Sequence, residues 1–234
     1  MRALDKFTFL GIKMKKLLIW DFDGVIADTE KLWIQNRMLL LNKNFGLNWD
    51  MNKTYAVLGG MSDKTKKHVL EKLGLKTDEQ FWEENKKLDL ETMLKGFSLT
   101  DGVDNIFKDK TFTQCIATGG FADKTAEKIK IVDIESYFPP ETVFTADMVV
   151  HGKPEPDLFL LAAEKMGFLP QDCIVVEDSV AGLTAAQKAG MLPLAFTGNS
   201  LYDNTDYLLR IKEIGITHLF DSMTALHRFL KKLV

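Results

Sequence analysis

Two carboxylates stand two residues apart directly after a short apolar run: Leu17-Leu18-Ile19-Trp20 leads into Asp21-Phe22-Asp23-Gly24. A run with no polar alternation suits a strand covered on both faces, as at the centre of a parallel sheet. Ligands of open α/β sheets bind just beyond the carboxyl ends of the strands. Asp21 and Asp23 are therefore expected at the rim of a pocket, crowded enough to repel unless a cation or a shared proton relieves them. Oxygen ligands favour a hard ion such as Mg²⁺. Asp-x-Asp-Gly can also open a calcium loop, but such a loop needs an oxygen ligand at its fifth position and Glu at its twelfth. This chain has Val25 and Leu32 there.

Three further stretches carry groups of the same kind. They are Thr118 in Ile116-Ala117-Thr118-Gly119-Gly120, Lys153 in His151-Gly152-Lys153-Pro154-Glu155-Pro156-Asp157, and Glu177-Asp178 in Val175-Val176-Glu177-Asp178-Ser179-Val180-Ala181-Gly182. Singly, each has a bland reading. A threonine at a strand end is ordinarily a turn former, and a loop lysine is ordinarily solvated. The acidic pair could cap the helix after it, although Ser179 is the better cap.

Taken in order, the four motifs resemble those of the haloacid dehalogenase superfamily, in its phosphatase and phosphomutase branch and its beta-phosphoglucomutase-like subgroup. The resemblance implies an α/β fold, a Rossmann-like parallel sheet core with helices on both faces plus an inserted all-helical cap. It implies Asp21 as the nucleophile that forms an aspartyl-phosphate, and Asp23 as the acid and base, a role that asks for a carboxyl with a pKa above its neighbours'. Thr118, Gly119 and Lys153 would hold the phosphate, with Lys153 also neutralising developing charge. Mg²⁺ would be held by Asp21, the Asp23 backbone carbonyl, Glu177 and Asp178. An acid at position 23 argues against dehalogenation. Where the mutase pattern has a His this chain has Trp33, and where it has an Arg in a cap loop this chain has Asp63 beside Gly60-Met61-Ser62. Water is then the expected phosphoryl acceptor. The expected activity is hydrolysis of a small phosphorylated metabolite, a sugar or sugar-acid phosphate, with a sugar phosphomutase as the alternative.

These residues need a scaffold, and the pattern supplies one. From about Glu30 to Gly96 only helical periodicity occurs, broken at Gly46, Gly59-Gly60 and Gly74. Leu32, Trp33, Met38, Leu39, Leu40 and Leu41 read as one apolar face, and Val69, Leu70, Leu73, Phe81, Trp82, Leu88, Leu90, Met93 and Leu94 as others. The segment is richer in Lys and Arg than in Asp and Glu, with Lys64, Lys66, Lys67, Lys86 and Lys87 read mainly as a solvated surface. Beyond Phe97, strands expected over 113–118, 142–144, 173–177, 192–196 and 217–220 alternate with helices over 122–131, 157–166, 181–189, 202–213 and 224–233. Such alternation gives a parallel sheet with right-handed crossovers. The expected division is an extension at 1–13, a core of 14–29 and 97–234, and a cap of 30–96, with the extension either an upstream start-site artefact or a dispensable arm.

Composition narrows the setting. At 234 residues the chain can bury a sizeable core, and its net charge of −3 gives no basis for a nucleic-acid or anionic-membrane partner. No apolar run is long enough to span a bilayer. Cys115 and Cys173 both fall in expected strands, which reads as buried reduced thiols in a cytoplasmic protein. A monomer is expected.

Overall fold

In the computed structural model, which describes residues 15–198 and 205–234, six parallel strands form one sheet in the order β3-β2-β1-β4-β5-β6. They are β1 (Leu17–Trp20), β2 (Thr113–Thr118), β3 (Val143–Thr145), β4 (Cys173–Glu177), β5 (Leu192–Phe196) and β6 (Leu219–Phe220). The charge-flanked apolar run is central, and all four of its residues are fully buried. Side chains on a strand alternate between faces, so both faces of β1 must meet apolar cover. Leu18 and Trp20 enter a core with Ile116, Val176, Leu194 and Phe196. Leu17 and Ile19 enter a second core with Cys115, Ala117, Cys173 and Val175.

Two helical layers supply that cover. The first core is closed by α5 (Val103–Phe107), α6 (Ala122–Ile131) and α10 (Met223–Leu230) through Ile106, Ile129, Leu226 and Leu230. The second is closed by α7 (Asp157–Met166) and α8 (Val180–Lys188) through Leu158, Phe159, Ala162, Ala185 and Ala186. A smaller cluster joins Leu183 and Ala195 to Tyr207 and Ile211 of α9 (Thr205–Glu213). Both cysteines are buried free thiols.

Between β1 and α5 the described chain forms α1 (Glu30–Phe45), α2 (Met51–Leu58), α3 (Asp63–Lys72) and α4 (Glu79–Leu94). Asp50, Ser62 and Asp78 cap the last three by accepting backbone N–H bonds. Gly46 ends α1 in the left-handed conformation at φ +62°, which glycine adopts without a Cβ penalty. Leu40, Leu41, Leu58, Leu70 and Phe81 form the core of this group.

The apolar faces expected in these helices are partly displaced. Leu39, Leu73, Leu90 and Leu94 are exposed, Leu94 by 80%. The buried positions include Asn36, Arg37, Asn85 and Asp89 instead. These helices turn a polar face towards a cavity, and a polar face that is out of water must be hydrogen-bonded to something.

Most other boundaries agree with the sequence reading within a residue or two. The short α5 has no counterpart in that reading, and β6 is two residues shorter than expected, pairing with β5 only at Ala195–Leu219 and Phe196–Phe220. The expected extension at 1–13, and the start of the helix expected from Tyr202, lie outside the described residues.

Candidate active site

Register brings the motifs together. Trp20 lies opposite Ile116 of β2 and Val176 of β4, so Asp21, Ala117 and Glu177 follow at one level across three adjacent strands. The Asp21 N–H continues the ladder to the Val176 carbonyl at 2.9 Å. Thr118 ends β2 and is buried, its hydroxyl accepting from Gly120 N–H at 3.2 Å. Gly119 faces the loop at 60–62, and a side chain there would meet only ordinary contacts with Gly60 and Ser62.

Lys153 reaches this level from the loop before α7. Its Nζ donates to Asp21 Oδ1 at 2.5 Å, Glu177 Oε1 at 2.8 Å and the Ala117 carbonyl at 3.1 Å. All three ammonium protons are thus used. Asp21, Glu177 and Asp178 are buried, each offering an oxygen within 4.8 Å of the others. One lysine among three carboxylates leaves an excess of negative charge. An all-oxygen donor set of this kind fits a hard divalent cation. Burial drives the Asp21 carboxyl well above the usual range; Lys153 opposes this, while Glu177 and Asp23 add to it. Burial works against the Lys153 ammonium, but Asp21 and Glu177 hold its pKa above the ordinary value.

The acidic pair is locked from behind. Glu177 Oε2 accepts from the Ser179 N–H at 2.6 Å and its hydroxyl at 2.9 Å. Ser179 in turn caps α8, accepting from Gly182 N–H at 3.0 Å. The Asp178 carbonyl accepts from both Tyr55 of α2 and Tyr207 of α9. Gly182 is required for a different reason: a Cβ there would lie 1.7 Å from Glu177 Oε1. Gly182→Ala should push that carboxylate off Lys153. Overpacking of this kind costs about 1–3 kcal/mol, a fall in melting temperature of roughly 5 °C for a chain of this size. An unchanged melting curve would show that Glu177 tolerates the methyl group.

Asp23 sits differently from its neighbour. Its Oδ1 accepts from Thr29 Oγ1 at 2.5 Å and Trp33 Nε1 at 2.6 Å, and its Oδ2 from Lys128 Nζ at 2.5 Å. Burial raises its pKa, but the charge and hydrogen bond of Lys128, with Thr29 and Trp33, outweigh burial and hold it down to about 2. The order expected from the acid/base role is therefore reversed, with Asp21 high and Asp23 low. Burial of Asp21 supplies one half of the reversal, and Lys128, a buried lysine that the motif series does not contain, supplies most of the other. The Asp23 side chain also stands outside the carboxylate trio of Asp21, Glu177 and Asp178.

Trp33, Asp63 and their surroundings line a cavity of 1020 Å³ that also touches Asp21, Asp23, Thr118 and Gly119. Lys124 Nζ lies 4.1 Å from the Trp33 ring centroid and donates to Asp89 Oδ2 at 2.6 Å. Asp63 pairs with Arg37 at 2.9 Å and Lys66 at 3.8 Å. Burial raises the Asp63 pKa, but Lys66, Arg37 and Lys124 bring it below the ordinary value. Lys66, expected as one of a solvated set, is buried. Lys128 and Arg37 carry a sequence signal all the same. Each interrupts an apolar helical stripe, Lys128 between Thr125, Ile129 and Val132, and Arg37 between Trp33, Ile34, Leu40 and Leu41. A charge in such a stripe is buried by the fold and needs a partner.

The sequence profile described as haloacid dehalogenase-like hydrolase matches residues 18–196. The chain belongs to this family. Over 183 residues it is 29% identical to the probable pseudouridine-5'-phosphatase of Drosophila melanogaster, covering 74% of this chain and 78% of that one. Over 182 residues it is 31% identical to the fructose-1-phosphate phosphatase of Escherichia coli, covering 74% and 92%. A solved haloacid dehalogenase-like protein of unknown function from Agrobacterium tumefaciens superposes with a TM-score of 0.79 at 26% identity, over 94% of this chain and 99% of that one. For this haloacid dehalogenase-like hydrolase, no helix among the described residues is long and apolar enough to cross a membrane.

Proposed function

We propose that this hydrolase is a Mg²⁺-dependent phosphatase of small phosphorylated metabolites, sugar or sugar-acid phosphates, acting through an aspartyl-phosphate on Asp21. The observation that carries this reading is the Asp21–Lys153–Glu177 cluster, with Asp178 beside it, at the floor of a large cavity. Two relatives named as phosphatases of phosphorylated sugars or nucleosides support it. In the same proposal residues 30–96 are a cap over a core of 14–29 and 97–234, and the protein works as a cytoplasmic monomer, a setting that two buried free thiols suit.

An Asp21 oxygen attacks phosphorus in line; the bond to the leaving oxygen breaks as the bond to Asp21 forms. Lys153 holds Asp21 in place and places positive charge beside the phosphoryl oxygens as their charge grows. The Thr118 hydroxyl and Gly119 N–H donate to those oxygens. Asp23 gives a proton to the leaving oxygen and later takes one from the water that hydrolyses the aspartyl-phosphate. Paired with Lys128, Asp23 is a carboxylate, the form that accepts a proton; to donate one it must first leave Lys128 and take up a proton from solvent. A divalent cation held by Asp21, the Asp23 carbonyl, Glu177 and Asp178 would supply Lewis-acid stabilisation of the phosphoryl charge.

The test is hydrolysis of p-nitrophenyl phosphate with Mg²⁺ and with a chelator. Turnover that depends on Mg²⁺ and is lost to the chelator is expected. No turnover under either condition, or turnover indifferent to the chelator, would overturn the reading.

A further inference from the structure

The cavity contains polar atoms that neither the phosphate-handling cluster nor the fold satisfies. Arg37, on α1, is 2% exposed, and its Nη2 donates to Asp63 Oδ1 at 2.9 Å. The guanidinium carbon lies 5.1 Å from the centroid of the Trp82 ring. Its Nε and Nη1 have no hydrogen-bond partner among the described residues. Asn85, on α4, is also 2% exposed; its Nδ2 donates to Asp89 Oδ2 at 3.3 Å, and its Oδ1 has no partner among the described residues. Asp89 fixes the amide orientation, because a carboxylate only accepts and must face the nitrogen. Arg37, Trp82, Asn85 and Asp89 all line the cavity onto which Asp21 opens. A buried donor or acceptor left without a partner is costly, and two such residues on packed helices, in one cavity, point to a ligand that completes them.

The chemistry of that ligand follows from what is unmet. Arg37 offers N–H donors and Asn85 offers a carbonyl acceptor, so the ligand must both accept and donate at this end. Hydroxyl groups do both; a phosphate or carboxylate cannot donate to Asn85. Charge points the same way. Arg37 is answered by Asp63 and Lys124 by Asp89, while Lys66 stands between Asp63 and Glu30. A second anion at Arg37 and Asn85 would meet Asp63 and Asp89. The exposed Lys64, Lys67 and Lys86 elsewhere on the cavity lining are the cations that a bisphosphate probe tests. We propose that Arg37 and Asn85 form a distal subsite that recognises the neutral, hydroxyl-bearing end of a singly phosphorylated polyol or sugar. The inference rests on the phosphatase reading and adds to it the side of the substrate that is not transferred.

Four probes test it: sorbitol 6-phosphate and fructose 1-phosphate as hydroxylated monoesters, fructose 1,6-bisphosphate as the doubly charged ester, and p-nitrophenyl phosphate as an ester lacking hydroxyls. The wild type should turn over at least one hydroxylated monoester with a higher kcat/KM than the bisphosphate. Arg37→Met should lower the kcat/KM ratio of that monoester to p-nitrophenyl phosphate about ten- to a hundred-fold, the effect of losing a hydrogen bond from a charged donor. Asn85→Ala should lower the same ratio, and it leaves the Arg37–Asp63 pair intact should the Arg37 variant not fold. Equal losses on both esters, which a structural role alone would give, overturn the subsite, as does a wild type that prefers the bisphosphate. If the wild type hydrolyses none of the four, the phosphatase reading fails first and the subsite with it.

Discussion

Asp21→Asn should lower kcat by about four orders of magnitude or more, the scale seen when a nucleophile is removed from an otherwise intact site. An amide oxygen cannot form the phosphoryl-enzyme bond that the proposed reaction needs. The fold should survive. Asp21 carries a carboxyl that burial disfavours in its charged form, and an amide of the same shape still offers Lys153 an acceptor while removing one of three crowded charges. A melting temperature near that of the wild type, with turnover gone, therefore separates chemistry from stability. A second readout is direct. Acid-quenched wild type incubated with a labelled substrate should retain an acid-stable, hydroxylamine-sensitive phosphoryl label, and the variant none. Wild-type-like turnover in the variant would remove Asp21 as the nucleophile.

Much of the scaffold was legible because its cause is local. Leu17–Trp20 has no polar alternation, and it is the strand flanked by β2 and β4. Pro156 before α7 and Ser179 before α8 mark helix starts that the structure keeps, Ser179 through its bond to Gly182. The motif residues could be brought to one place in the same way, since three of them end adjacent strands. Lys153 is less local: only its position in the motif series, not its loop, announces that a buried lysine will bridge Asp21 and Glu177.

Helices 30–94 were harder, for a physical reason. A helix that borders a ligand cavity buries polar side chains, so its apolar residues no longer define its inner face. Arg37 and Asn85 are buried while Leu39 and Leu90 are exposed. The pairing of Lys128 with Asp23 was equally out of reach, because the two lie 105 residues apart in sequence. A lysine inside an apolar stripe announces that it will be buried, but not which carboxylate it will meet. With Thr29 and Trp33 that contact holds Asp23 low, while burial raises Asp21, and together they reverse the expected order.

Lys153→Met tests how the carboxylates coexist. The wild-type cluster places one ammonium against Asp21 and Glu177, with Asp178 close by and all of them buried. Methionine fills similar volume beside Phe159, whose ring centroid lies 5.0 Å from the ammonium, but it carries no charge. Removing one partner from a buried ionic cluster costs about 3–5 kcal/mol, because the remaining charges are left uncompensated. In chelator the variant should therefore melt roughly 6–20 °C below the wild type. Mg²⁺ should restore part of that loss, since a ligand present at a hundred times its Kd stabilises by about 2.7 kcal/mol. Activity should remain far below that of the wild type even with saturating Mg²⁺, because a cation among the carboxylates does not replace the ammonium between Asp21 and the phosphoryl oxygens. A variant as stable as the wild type in chelator would mean that the three carboxylates do not share their charge as the geometry requires. A variant that regains full turnover with Mg²⁺ would leave Lys153 as scaffolding alone.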